Sequence, residues 1–282
     1  MARRPFADEP TSRLAIWARR LAIFSLSAAI LSVMIVRSGL LEEIRPALAT
    51  FGAALVLAVV ALFLAFAAFV VIWRDGLVGM GAALSAIAIV VVLVAYPGYL
   101  VATTYKLPRI YDITTDPNDP PHYIALAKAR PRDANPVIYA GLAAAEQQIE
   151  AYPDIEPIES GLNARLAFAA ALSVVTDRRW RIVDAPPPDQ GRREGRIEAV
   201  ARTPLMGFRD DVIVRVRQLP RGSRIDIRSS SRYGTFDFGA NADRVRRLID
   251  DIEGALASQR PEAQPEPPPK PLPKRGQPSA KR

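Results

Sequence analysis

The densest run of chemically capable side chains lies between Ser229 and Arg244, where three serines, Arg232, Gly234, Asp237, Gly239, Asn241 and Arg244 fall within sixteen residues. Asp237 or Asn241, placed just before a helix, would accept its free backbone N–H groups, and the two glycines permit turns closed to other residues. Arg232 and Arg244 have the forked donors that grip a carboxylate or phosphate beside the positive end of a helix. Capping of the following helix is the simpler use of the same residues. Upstream, Asp210 and Asp211 look like a carboxylate pair for acid/base work, but neighbours on a strand point to opposite faces. One is expected to cap the turn after Gly207 and the other to face Arg215 or an adjacent strand. The candidate ligand-binding set is therefore Arg232, Asp237, Asn241, Arg244, Asp211 and Arg215, with no catalytic residue assigned.

Other chemistries fail on spacing or residue type. His122 is the only histidine and no Gly-x-Ser-x-Gly turn accompanies it, so a Ser-His-Asp triad has no frame. It is expected to lie on the domain surface. The chain has no cysteine, which removes disulfides, thiolate metal sites and thiol redox chemistry. Asp116 and Asp119 resemble the start of a calcium loop, yet its glycine is missing and Ala127 stands where the closing glutamate belongs. Gly191 to Gly195 lacks the strand, helix and Lys-Ser/Thr ending of a phosphate loop. No metal and no cofactor is expected.

These residues must be positioned by two unlike halves. Leu21–Val36, Ala47–Trp73 and Leu77–Tyr105 are uncharged apolar runs long enough, or nearly so, to cross about 30 Å of hydrocarbon. With flanking residues they give membrane helices at about 14–36, 47–73 and 77–100. Pro97-Gly98 is expected to kink or end the third, and Gly79, Gly81, Ala83 and Ser85 to pack within the three-helix hairpin. No span holds an ionisable group of the kind that ion or proton pathways need. Arg3, Arg4, Arg13, Arg19, Arg20 and Arg74 flank one side, against Arg37, Arg45, Lys106 and Arg109 on the other. The excess places the N-terminus, residues 1–13, in the cytoplasm and the C-terminal domain outside it.

From residue 106 the composition is globular. Region 106–257 holds 23 basic and 22 acidic side chains, so the overall charge of +8 belongs to the chain ends. With no basic patch evident on the folded part, nucleic acid is not an expected partner. Proline-rich 112–121 reads as an extended loop. Helices are expected at 137–151 and 162–177, the second with Leu162, Leu166, Ala169, Ala170, Ser173 and Val174 on one face. Strands follow at 180–183, 196–203, 211–219 and 224–230, then a helix at 240–257 with Val245, Leu248, Ile249, Ile252 and Leu256 as its apolar stripe. Short turns between strands give an antiparallel meander with helices to one side, an α+β domain carried by an N-terminal three-helix transmembrane region. Residues 258–282, with eight prolines, read as a disordered basic tail.

Three segments together resemble the DUF1499 family of proteins of unknown function. The run Ser231-Arg232-x-Gly234-x-x-Asp237-Phe238-Gly239-x-Asn241-x-x-Arg244 is similar to its closing motif. Asp112 to Pro121 is similar to its opening motif, and Asp210-Asp211 through Arg215 to its central strand. They occur in the family's order and cover about 111–257. Members are typically bacterial, with plastid relatives, and often exported or membrane-anchored, so the resemblance implies an extracytoplasmic domain at a bacterial cell membrane. It supplies no reaction. The expected partners are membrane lipid and an envelope protein or anionic ligand, bound by a non-catalytic module. The alternatives are a membrane-anchored hydrolase using carboxylates or serines of the 210–244 region, and an inverted topology in which the tail from Lys270 touches anionic lipid.

Overall fold

The computed structural model describes residues 10–39, 44–189, 191 and 194–259. The expected tail, apart from residues 258 and 259, and Arg3 and Arg4 lie outside them. Three helices lead, α1 (Arg13–Ser38), α2 (Arg45–Asp75) and α3 (Met80–Thr104), all long and apolar enough to cross a membrane. At about 1.5 Å per residue the shortest, with 25 residues, reaches about 37 Å. Their mutual contacts are made by small residues. Buried positions on α1 are Ala15, Ala18, Ala22, Ser25, Ala29, Ser32 and Val36, an unbroken alternation of three and four. α2 answers with Ala54, Ala58, Ala61, Ala65 and Ala68, and α3 with Ala83 and Ala86. Lipid offers no hydrophobic drive between helices, so close backbone approach and dispersion hold this bundle together. Ala83 packs inside it, against Ala15, Ala68 and Ile72, as expected. Pro97 does not end α3: the helix continues to Thr104, where the Thr103 and Thr104 hydroxyls donate to carbonyls of Tyr99 and Leu100.

The C-terminal domain has a six-stranded antiparallel sheet. Its strands are β1 (Asp112–Thr114), β2 (Ile158–Ser160), β3 (Arg181–Asp184), β4 (Glu194–Arg202), β5 (Arg209–Leu219) and β6 (Gly222–Ser231). Their order is β1-β6-β5-β4-β3, with β2 also on β6. The meander β3 to β6 matches the sequence reading; β1 and β2 do not, because 112–121 begins with a strand. Ile113 is fully buried there and the outer edge of β6 takes Asp112–Thr114 as its partner. The free edge of β1 is closed by a side chain: the Gln148 amide donates to the Thr114 carbonyl at 2.6 Å and accepts from the Thr114 N–H at 3.0 Å. Gly222 shapes the β5–β6 turn at φ +97°, and a Cβ there would collide with the Ser160 carbonyl of β2.

Between β1 and β3 lie α4 (Ala125–Ala129), α5 (Leu142–Ala151) and α6 (Ala164–Asp177), and α7 (Ala240–Ser258) closes the chain. α5 starts at Leu142, five residues later than expected, after Gly141, which adopts φ +83°. α6 and α7 cover one face of the sheet, burying Ile197, Val212, Val214, Val216, Ile225 and Ile227. α7 buries Val245, Leu248, Ile252 and Leu256 as its periodicity requires. α6 is rotated from the expected face. Of the expected face Ala170 and Val174 are buried and Leu162 packs against the core, but Leu166, Ala169 and Ser173 are exposed, while Ala164, Ala167, Phe168, Ala171 and Val175 also point inward, with Phe168 against Gly195 of β4. The opposite face of the sheet is covered by the loop 115–137 and α4.

The domain sits at the C-terminal end of α1. Arg37 donates to the carbonyls of Pro204 and Leu205, Arg202 to that of Arg37, and Arg45 to that of Asp133. Gly207, at φ +73°, lets the β4–β5 turn approach the Arg37 backbone so closely that a Cβ would clash.

Candidate functional site

Strand alternation sorts the polar residues of the sheet into two separate layers. On the helix-covered face stand Asp210, Ser229 and Ser231; on the loop-covered face stand Glu198, Asp211, Arg215, Arg217, Arg224, Asp226 and Arg228. Asp210 and Asp211 therefore point apart, as the sequence indicates. Neither plays the expected part, since Asp210 pairs with Arg244, and Asp211 with Arg130 and Arg232.

The helix-side layer is organised by Asn241 in the first turn of α7. Its carbonyl oxygen accepts from the Ser229 hydroxyl at 2.7 Å and from Arg244. Its amide donates to the Ser231 hydroxyl and the Tyr111 carbonyl, both at 2.9 Å. Asp237 caps α7, accepting the N–H groups of Gly239 and Asn241. Burial pushes both carboxyls up from their usual range; Arg244 opposes this at Asp210, and the cap hydrogen bonds oppose it at Asp237. With Arg244 drawn onto Asp210 and Asn241, and Asp237 filling the start of α7, these donors and acceptors are spent on one another.

The loop-side layer is a field of ion pairs. Arg228 and Asp112 form a two-pronged pair at 2.9 and 2.6 Å, their side chains 0% and 2% exposed. Arg228 also donates to the carbonyls of Pro121 and Val137, and its guanidinium lies 4.7 Å from the Tyr123 ring centroid. Asp211 takes Arg232 on one oxygen and Arg130 on the other. Glu198 accepts the N–H groups of Ile124, Ala125 and Leu126, pinning α4 to the sheet. Asp226 receives Arg215, Arg217 and Arg224. Burial acts to raise the Asp119 carboxyl, but hydrogen bonds and charge from Arg215 and Arg217 outweigh it and hold the group below its usual range. Tyr123, buried in this layer, is pushed well above the usual phenol range by loss of solvent. A buried arginine is tolerable only with its carboxylate and its remaining N–H groups satisfied; the strands supply Asp112, Asp211 and Asp226, and the loop supplies carbonyls of Asp119, Pro121 and Val137.

Of the six residues expected to bind a ligand, Asp237, Asn241 and Arg244 come together on one side of the sheet, and Asp211, Arg215 and Arg232 on the other. The Arg232 and Arg244 side chains are 2% and 9% exposed. His122 is exposed on the covering loop, and Asp116 and Asp119 are counterions of Arg224, Arg215 and Arg217. Among the described residues no cluster of acids and histidine suited to a metal ion occurs.

What sequence reasoning missed is a basic cavity. Near the end of β4 and β5 that meets α1, a hollow of about 620 Å³ is lined by Arg178, Arg179, Trp180, Arg181, Arg202 and Arg209, with Val200 as floor. The arginines come from three separated segments, so charge counting by region averaged them away. The register that sets Arg202 opposite Arg209, and Arg181 opposite Val200, is what gathers them.

A membrane-type helical hairpin followed by an antiparallel α+β domain with two buried polar layers defines the class of protein. The profile of the family described as "Protein of unknown function (DUF1499)" matches residues 112–252, half of the chain, and the chain belongs to that family. Among curated proteins none matches. Among solved structures, the vertebrate conserved region of human METTL16 is 11% identical, with 42% of this chain and 95% of that chain covered. Its TM-score of 0.26 carries no conclusion about fold or function.

Proposed function

We infer that the chain is a multi-pass protein of the bacterial cell membrane whose α+β domain is a non-catalytic binding or structural module on the extracytoplasmic side. One observation carries the non-catalytic part: the serines at 229–231, the carboxylates and the arginines that a hydrolase would need are divided between opposite faces of the sheet and, the Ser230 hydroxyl apart, engaged with one another in the interior. Asp211 lies beneath the covering loop, whereas Ser231 and Asp237 lie beneath α7, so they share no cleft. Arg232 and Arg244 would have to leave buried carboxylates to reach a ligand, which favours a framework role for them.

The side of the membrane follows from charge. The end of the bundle away from the domain carries Arg13, Arg19, Arg20 and Arg74, and with Arg3 and Arg4 of the N-terminal segment this makes six basic residues against Arg37, Arg45, Lys106 and Arg109 at the end the domain joins. Compartment-sensitive reporters fused after Gln259 test it. Alkaline phosphatase activity without green fluorescence is the expected result, and fluorescence without phosphatase activity would put the domain in the cytoplasm. Substituting Arg232→Gln and Arg244→Gln tests the framework role, with loss of cooperative folding expected; a folded variant that no longer captures an envelope partner would return these residues to ligand binding.

A further inference from the structure

We propose that the hollow formed by Arg181, Arg202 and Arg209 beside Trp180 binds a phosphate group at the level of the membrane surface. The proposal rests on the reading of the domain as a binding module and supplies its ligand class.

Elsewhere on the loop-covered face, Arg196, Arg215, Arg217, Arg224, Arg228 and Arg232 each have a carboxylate within 4 Å. Arg181, Arg202 and Arg209 share that face and have none among the described residues. Arg202 and Arg209 are directly opposite partners on adjacent antiparallel strands, an arrangement in which like charges repel. No acidic side chain among the described residues lines the cavity. The Arg209 guanidinium is accordingly less basic than usual, through burial first and then the charges of Arg202, Arg232 and Arg181. An anion between the strands would relieve this repulsion, and guanidinium forks match the oxygens of a phosphate.

The surroundings favour phosphate held at a bilayer surface. Arg202 donates to the carbonyl of Arg37, and Arg209 to that of Gly39, so both are anchored at the end of α1 where a spanning helix leaves the hydrocarbon. Trp180 is half-buried, stacks with Arg178 at 5.2 Å, and contributes an amphipathic ring of the kind found at headgroup level. Arg178 itself is drawn to Asp251 and to the Arg247 carbonyl, so it shapes the wall, and of the other four lining arginines Arg181, Arg202 and Arg209 stand on the sheet face as the binding cations, with exposed Arg179 at the rim. The same chemistry serves a lipid headgroup or a soluble phosphate ester.

The test uses the full chain in nanodiscs, with Trp17→Phe and Trp73→Phe leaving Trp180 as the sole tryptophan. Its emission is followed during titration with inorganic phosphate in phosphatidylcholine discs, against chloride at equal ionic strength. It is also compared between phosphatidylcholine discs and discs containing phosphatidylglycerol. A saturable response to phosphate assigns a soluble ester, and a response confined to phosphatidylglycerol discs assigns a lipid headgroup. Either response must fall at least tenfold in affinity in Arg202→Gln and Arg209→Gln and persist in Arg221→Gln, an exposed arginine at the far β5–β6 turn. Absence of response to both, or equal loss in Arg221→Gln, overturns the proposal. Because the reporters after Gln259 and the folding of Arg232→Gln are read independently, failure here would leave the topology and the framework role standing.

Discussion

The two ends of the loop-covered sheet face use the same side chain to opposite effect. At the end under the 115–137 loop, each arginine has a carboxylate, and Arg130, Arg215 and Arg228 also donate to loop carbonyls. At the membrane end, Arg181, Arg202 and Arg209 face a hollow and pair with no carboxylate among the described residues. Buried charge is expensive when unpaired, so the paired end reads as architecture. Unpaired charge held half in solvent costs little until a counterion arrives, which suits a site. The difference lies in the carboxylates supplied by neighbouring strands and the covering loop, and in no property of arginine itself.

The strongest way to break this comparison is to strand a charge at the paired end. Arg228→Gln leaves Asp112 buried without its partner and should lower unfolding free energy by about 3–5 kcal/mol, measured by urea unfolding of the full chain in detergent. An Arg228→Met, Asp112→Leu double variant should recover much of the loss, which would show that the damage comes from the orphaned charge. Asp211→Asn releases both Arg130 and Arg232. It should cost about 3 kcal/mol and raise hydrogen exchange through 123–136, the stretch those arginines hold down. Gln148→Ala removes the side chain that completes the β1 edge, leaving the Thr114 N–H and carbonyl unsatisfied, for a loss of about 1–3 kcal/mol.

A pH series sharpens the same contrast. Burial lifts Tyr139 and Tyr152 to about 12 and raises Tyr123 well above the usual range as well, against 10.0 for an ordinary phenol. Between these values the unfolded chain releases protons that the folded domain retains. Stability fully present below pH 10 is therefore lost as pH rises through about 12. Phenolate absorbance should appear with unfolding in this range, and ionisation of all tyrosines near pH 10 with the fold intact would contradict the burial.

Much of the architecture was legible in the sequence. The β3 to β6 meander announced itself through alternating Val212, Val214 and Val216, α7 through its stripe, and the divergence of Asp210 from Asp211 through strand geometry alone. β1 and β2 were not, because a three-residue strand carries too little periodicity and each is stabilised by a neighbour, β6, far along the chain. The face of α6 was legible in part, through Ala170 and Val174, but an alanine-rich helix has little apolar contrast and Phe168 turns the buried face toward Ala164, Ala167 and Ala171. The capping by Asp237 was readable from its place before a helix, but the Asp112–Arg228 and Asp211–Arg232 pairs join residues 116 and 21 positions apart. The basic hollow shares that cause: only the register shows which arginines lack an acid.

The most direct measurement is the unfolding free energy of Arg228→Gln beside that of Arg209→Gln, in the full chain, under identical low-phosphate conditions. Framework at one end and a poised site at the other require Arg228→Gln to fall by about 3 kcal/mol or more, while Arg209→Gln stays level or gains up to about 1 kcal/mol as its repulsion with Arg202 is removed. Equal destabilisation by both substitutions would contradict the account, because the membrane-end arginines would then be as much a part of the framework as the rest.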